Sequence, residues 1–249
     1  MNRIKASLVH LSVSIIFFIF FSSLLVYLWY PEFYFYTAGG WQGLKIAAFV
    51  DLVLGPLLTL IVFDRNKVSW KIRFDLTVIG ILQISALSWA IFAIYGERPV
   101  ASVFWDGQIY VVSALDYENN ASETDFLEQF GSPLPVLIYA EKPDKPSELA
   151  ALYNKITKEQ IPPYELIELY RPFEKNFSII QAYSIDIERF MSSNVLSEKK
   201  LREKIEALNT DMDELVYIPL KSKYKDILML FDNQGKLVDY ILISDIHRH

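Results

Sequence analysis

Cysteine is absent from the 249 residues. That excludes disulfide staples and thiolate metal sites and says little about the compartment. Histidine is scarce: His10 stands near the start of a long apolar run, and His247 and His249 stand in the terminal HRH, where side chains are usually solvated. There is no HExxH, no GxSxG and no Gly-rich phosphate loop. The acidic pairs Glu165/Glu168 and Asp211/Asp213 read as solvated faces in a segment rich in acids. Asn120-Ala121-Ser122 and Asn176-Phe177-Ser178 match the glycosylation sequon, a weak motif. The expectation is a protein with no catalytic, cofactor or metal residues, and no enzyme.

Positive charge is also short, and unevenly so. Residues 1–96 hold seven Lys/Arg against four acids, a net of +3, while residues 97–249 hold 17 against 26, a net of −9. The split points to two regions with different surroundings. An acidic second half lacks the basic footprint of nucleic-acid binding.

What the sequence has in abundance is apolar surface, 52% of residues, concentrated in the first hundred. A helix needs roughly 20 apolar residues to cross a bilayer. Three stretches qualify: Leu8–Trp29, Lys45–Phe63 and Leu76–Tyr95. Arg3 and Lys5 precede the first, and Arg65, Lys67, Lys71 and Arg73 lie between the second and third, so these segments are expected to be cytoplasmic. The first loop and everything after Tyr95 then lie on the far side. Trp29, Tyr30, Tyr34, Tyr36, Trp41, Trp89 and Tyr95 form an aromatic belt there. The first run is too long for a signal-peptide core and LVYLWYPE lacks a small-residue cleavage site, so a retained anchor is expected.

Residues 97–249 suffice for one α+β domain. Asp106-Gly107 between ASVFW and QIYVV signals a two-residue hairpin. Pro135–Ala140 reads as a buried strand. Pro146–Ile156 and Ser197–Leu208 read as helices, with Ser197 as a cap. LVYIPL (215–220), DILMLF (226–231) and KLVDYILI (236–243) read as strands, the last two forming a hairpin through Asn233-Gln234-Gly235.

The second span, FVDLVLGPLLTLIVF in its core, carries a carboxylate and a Gly-Pro pair. Gly43, Ala47, Asp51, Gly55 and Thr59 recur every four residues and share one face. Small residues so spaced allow close helix approach in lipid. Gln83, Ala86, Ala90 and Ala93 suggest a matching stripe on the third span. The two stripes face each other, or one receives another protein. Asp51 costs about 2.5–3.5 kcal/mol at a span centre. From a start near Lys45 it lies roughly 8–9 Å deep. Ser22, Ser23 and Ser88 come to a similar depth, and Lys45 is within snorkelling reach. Asp51 either fixes bundle register or serves a partner helix or a proton. Pro56 frees the Leu52 carbonyl, for which Gln83 is the expected donor.

These residues sit inside a longer pattern: Tyr30-Pro31, Val50-Asp51, Gly55-Pro56, Leu57-Leu58-Thr59, Phe74-Asp75-Leu76, Leu82-Gln83, and Tyr95-Gly96 with Arg98-Pro99-Val100. Over residues 28–113 the chain resembles the type IV pilin accessory proteins, the TfpX/TfpZ family. The resemblance implies a multi-pass protein of the bacterial inner membrane with a cytoplasmic N-terminus and a periplasmic C-terminal domain. It implies an assembly factor, a pilin-specific chaperone or stabiliser, with the cognate type IV pilin and other pilus assembly proteins as partners beside the lipid bilayer. It carries over no catalytic residue. Under this reading the helix docking face comprises Lys45, Ala47, Asp51, Gly55, Pro56, Thr59 and Gln83. Two other classes stay open: a membrane-anchored ligand-binding sensor, and a pilin-modifying membrane enzyme.

Overall fold

The computed structural model describes residues 3–63, 68–120, 124–193, 202–205, 208 and 210–243. Arg65, Lys67, the Ser197 cap, His247 and His249 lie outside them. The chain divides into two compact units, Met1–Arg98 and Pro99–His249.

The first unit contains three helices long and apolar enough to cross a membrane: α1 (Arg3–Trp29), α2 (Gly40–Val62) and α3 (Trp70–Gly96). Each begins several residues before the apolar run it contains. In α1 and α3 the added first turns hold Arg3 and Lys5, and Lys71 and Arg73, which helix formation tolerates and the bilayer edge accommodates. In α2 the added turn follows Gly39, whose φ of 118° only glycine adopts readily. Asp51 therefore lies midway between Gly40 and Val62, about 16 Å along the axis from either end, and not near the outer end.

Two segments are wound wider than an α-helix, Leu25–Trp29 in α1 and Phe49–Leu54 in α2. In the second, the Gly55 N–H reaches back five residues to the Val50 carbonyl. The insertion lies immediately before Pro56, whose ring disrupts the four-residue ladder.

At the aromatic end, Tyr30, Phe33, Tyr34, Phe35, Thr37 and Ala38 are buried. The Tyr30 hydroxyl donates to the Ile94 carbonyl at 2.8 Å. Ile94 lies in the last turn of α3, where carbonyls have no partner within the helix, so Tyr30 caps that end. Trp29 meets Tyr95 edge-on at 5.1 Å. The Arg98 guanidinium stacks 3.5 Å from the Tyr95 ring centre and donates to the Tyr95 carbonyl at 2.7 Å. Tyr30, Tyr95 and Arg98 of the sequence pattern are thus joints of the bundle. Tyr30→Phe is expected to cost about 1 kcal/mol, read as a lower thermal midpoint of the purified protein in detergent.

The second unit is built on one seven-stranded mixed sheet: β1 (Pro99–Trp105), β2 (Gln108–Ser113), β3 (Val136–Ala140), β4 (Tyr170–Pro172), β5 (Val216–Lys221), β6 (Asp226–Phe231) and β7 (Leu237–Ile243), in the order β4-β3-β1-β2-β5-β6-β7. The β1–β2 hairpin turns at Asp106 (φ 48°) and Gly107 (φ 90°), the mirror-image geometry that Asp-Gly favours. The β6–β7 hairpin is held by Asp232, whose carboxylate accepts from the backbone N–H groups of Gln234 and Lys236, both at 2.9 Å. β1 pairs in parallel with β3, and β2 with β5.

Helices cover the sheet: α4 (Ala114–Asn120), α5 (Pro146–Glu159), α6 (Phe177–Gln181) and α7 (Ile187–Ser193). Val103, Val112, Ile138, Leu152 and Tyr170 form one core with others. Tyr217, Leu228, Leu230 and Ile241 form a second with Ile187 and Ile205. The opposite side chains of β6 pack in an aromatic cluster, Phe231 lying 5.4 Å from Phe173 and 5.8 Å from Phe177. β1 and β6 are consequently buried on both faces.

Candidate functional site

The chemistry of the first unit is concentrated where α1 meets α2. Ser7, His10 and Ser14 recur at spacings of three and four, which places them on one face of α1. They run antiparallel to the face of α2 that carries Thr59, Pro56, Gly55 and Asp51. The Ser7 hydroxyl donates to the Pro56 carbonyl at 2.9 Å. His10 Nδ1 lies 2.7 Å from the Thr59 hydroxyl. Thr59 donates its own hydrogen to the Gly55 carbonyl at 3.0 Å, so it accepts from Nδ1–H, and the hydrogen-bond network assigns the imidazole tautomer. Ser14 donates to Asp51 Oδ1 at 2.9 Å. Asp51 Oδ2 is buried and has no hydrogen-bond partner among the described residues.

Each residue of the expected docking face can now be placed. Ala47 is 1% exposed, and Gly55, Pro56 and Thr59 are buried. The Gln83 amide lies over Gly55, so close that a β-carbon there would fall 1.9 Å from Nε2. The expected bond from Gln83 to the Leu52 carbonyl is not among those formed between the described residues; the missing side chain at Gly55 leaves room for the amide there instead. Gly43 meets Ile94 in the same way. The face is therefore filled by α1 and α3 of the same chain. Lys45 departs from it: exposed, it directs its ammonium over the Trp41 ring at 5.8 Å and does not reach toward Asp51.

Two further expectations are corrected. Ser22 and Ser23 do not serve Asp51; they donate to the carbonyls of Phe18 and Ile19 one turn back in α1. Ser88 is exposed. The earlier start of α2 lowers Asp51 to mid-bundle, opposite Ser14. On α3 the stripe of small residues splits. Ala90 is buried and Gln83 half-buried, but Ala86 and Ala93 are exposed, and the inward face reads Ile79, Gln83, Leu87, Ala90, Ile94.

The second unit holds one half-buried polar group of interest. Ser113 donates to the Asp116 carboxylate at 2.6 Å, and Asn120 donates to Glu165 at 3.2 Å. Burial, then the nearby Asp116 charge, push the Glu165 carboxyl above the ordinary glutamate range, against the lowering effect of Asn120. A carboxyl raised on folding loses stability as pH rises from the ordinary range through its folded value. Glu165→Gln is accordingly expected to raise the thermal midpoint at neutral pH relative to the parent, with the difference shrinking toward pH 4. Burial also pushes the Tyr217 hydroxyl up to about 12, with Asp213 and Asp211 adding to it. The amides of both sequon asparagines are used internally, Asn120 as above and Asn176 on the Pro172 carbonyl at 2.8 Å, which disfavours them as glycan acceptors in the folded domain. Among the described residues no three His, Asp or Glu side chains are grouped to hold a metal.

Fold and site together define a membrane protein: three apolar helices locked by a polar seam, followed by an α+β domain. The chain belongs to the fimbrial assembly proteins. It is 30% identical over 112 residues to the Dichelobacter nodosus fimbrial assembly protein of serogroups C1 and C2, covering 45% of this chain and 86% of that protein. Over the same length it is 30% identical to the serogroup E1 protein and 31% identical to the serogroup I protein of that organism. The match spans only 44% of each of those two relatives. No protein-family model matches, and no solved structure matches.

Proposed function

We propose that the protein is an accessory factor of type IV pilus assembly, of the TfpX/TfpZ kind, that chaperones or stabilises its cognate pilin without modifying it. The similarity to fimbrial assembly proteins is the observation that carries this reading. The motif pattern of residues 28–113 supports it, since several of its members, Tyr30, Gly55, Pro56, Thr59 and Gln83, lie at the contacts between α1, α2 and α3. The protein sits in the bacterial inner membrane with its basic end in the cytoplasm and residues 99–249 in the periplasm. Because α1 and α3 fill the inward face of α2, a pilin helix meets the bundle on its outward faces. Cysteines at Ile46, Val53 and Leu57, all exposed, are expected to cross-link to pilin, and cysteines at Ala47 and Gly55 are not. Absence of any adduct along α1, α2 and α3 would contradict pilin contact through the membrane unit. Pilin of altered mass in a deletion strain would replace the chaperone reading with an enzymatic one.

A further inference from the structure

Asp51 presents a problem that the fold leaves unsolved. Its carboxylate lies midway along a membrane-spanning helix, one oxygen bonded to Ser14 and the other buried with no hydrogen-bond partner among the described residues. In a low-dielectric bundle such an oxygen is costly unless something positive meets it. Among the described residues no cationic side chain does. Lys45 is turned to Trp41. Between Leu76 and Tyr95, α3 contains no Lys, Arg, His, Asp or Glu. His10, the other titratable group of the seam, faces from α1 and is engaged with Thr59 through Nδ1.

Oxygen atoms stand nearby instead. The backbone at Phe49–Leu54 is wound wide, with the Gly55 N–H on the Val50 carbonyl. Extended by one residue, that register brings Pro56 opposite the Asp51 carbonyl, where proline has no N–H to give. In that register the Asp51 carbonyl has no backbone N–H opposite it. Ser14 contributes a hydroxyl oxygen bonded to Asp51 Oδ1. Widened backbone with a freed carbonyl on the same residue as a carboxylate, in a protein-lined part of a membrane bundle, is the chemistry that holds small monovalent cations. A single carboxylate matches a single positive charge. The Ser7, His10 and Thr59 groups make a polar track toward this point from the end of the bundle that carries Arg3 and Lys71.

We infer that the Asp51 carboxylate, with the backbone carbonyl released at Pro56 and the Ser14 hydroxyl, forms an intramembrane site for a sodium ion. The ion neutralises Asp51 and bridges α1 to α2. This site does not depend on the identity of the pilus partner.

The test uses the full chain in lipid nanodiscs, in sodium, potassium or N-methylglucamine chloride at one ionic strength and pH. Thermal unfolding and modification of Asp51 by dicyclohexylcarbodiimide, located by peptide mass, are both read. Sodium is expected to raise the midpoint in a saturable way and to slow modification severalfold relative to N-methylglucamine, with potassium weaker in both. Asp51→Asn should abolish the sodium-dependent rise, and Ser14→Ala should shift it to higher sodium. A midpoint indifferent to sodium, an equal response to potassium, or a sodium response retained in Asp51→Asn would overturn the inference. Modification of Asp51 that sodium does not slow would identify a proton as the occupant and would also overturn it. Should Asp51→Asn not fold, the cation comparison on the parent protein decides alone.

Discussion

Leucine in place of Gly55 is expected to separate the three membrane helices. A β-carbon at this position would lie 1.9 Å from Gln83 Nε2, 2.8 Å from its Cδ and 3.1 Å from His10 Nε2. Alanine is tolerable, because the end of the Gln83 side chain can swing away. Leucine is not, because its further carbons project into the seam from which His10 reaches Thr59. Overpacking alone costs typically 1–3 kcal/mol. Loss of the interhelical hydrogen bonds adds about 0.6 kcal/mol each on the scale found in membrane bundles. The measurement is thermal unfolding of the purified chain in detergent. Gly80→Leu is the matched control, since a β-carbon at Gly80 meets nothing within 4 Å. Equal midpoints for the two variants would refute the packing of α1, α2 and α3 described above.

In the second unit the largest effect is expected from Phe231→Ala. Phe231 is fully buried at the end of β6 and touches the rings of Phe173 and Phe177. Truncating a buried Phe costs about 3–5 kcal/mol, the spread reflecting how far the site collapses. That approaches the whole stability of many domains. Hydrogen exchange of the full chain should show protection lost across β5, β6 and β7, with α1, α2 and α3 unchanged. Gly235→Ala acts on the same cluster from the other side. It forces a side chain onto a φ of 84° and sets its β-carbon 2.7 Å from the Phe177 ring. Because both substitutions disturb Phe177, their effects should not add.

The legibility of these features in the sequence followed their range. Local chemistry was readable. Asp106-Gly107 dictates its turn, and the four-residue recurrence from Gly43 to Thr59 marks the inward face of α2. The parallel pairings β1–β3 and β2–β5 join strands far apart in sequence, and nothing local encodes them. β4 carries no local strand signal, because it is three residues long and ends in proline. On α3, small side chains misled. Spacings of three, four and three from Gln83 put Ala86 and Ala93 on a neighbouring face, whereas a step of four from Gln83 finds Leu87, which is half-buried. In lipid both faces are apolar, so hydrophobicity does not tell inward from outward.

The site was half legible for a related reason. Asp51, Gly55, Pro56, Thr59 and Gln83 stand out on α2 and α3 by composition. Their partners on α1 do not, because Ser7, His10 and Ser14 sit among other serines in a uniformly apolar helix. Their spacing of three and four was the available signal. It gains meaning only when α2 begins at Gly40, which sets Asp51 at mid-bundle opposite Ser14 and away from Ser22 and Ser23.

The role in fimbrial assembly proposed above requires an intact three-helix unit. Its most direct test is a count of surface fimbriae by electron microscopy in a strain deleted for the gene. The strain is complemented with the parent chain, Gly80→Leu or Gly55→Leu at matched membrane levels. Bare cells are expected on deletion, with fimbriae restored by the parent and by Gly80→Leu and not by Gly55→Leu. Normal fimbriation in the deletion strain would contradict it.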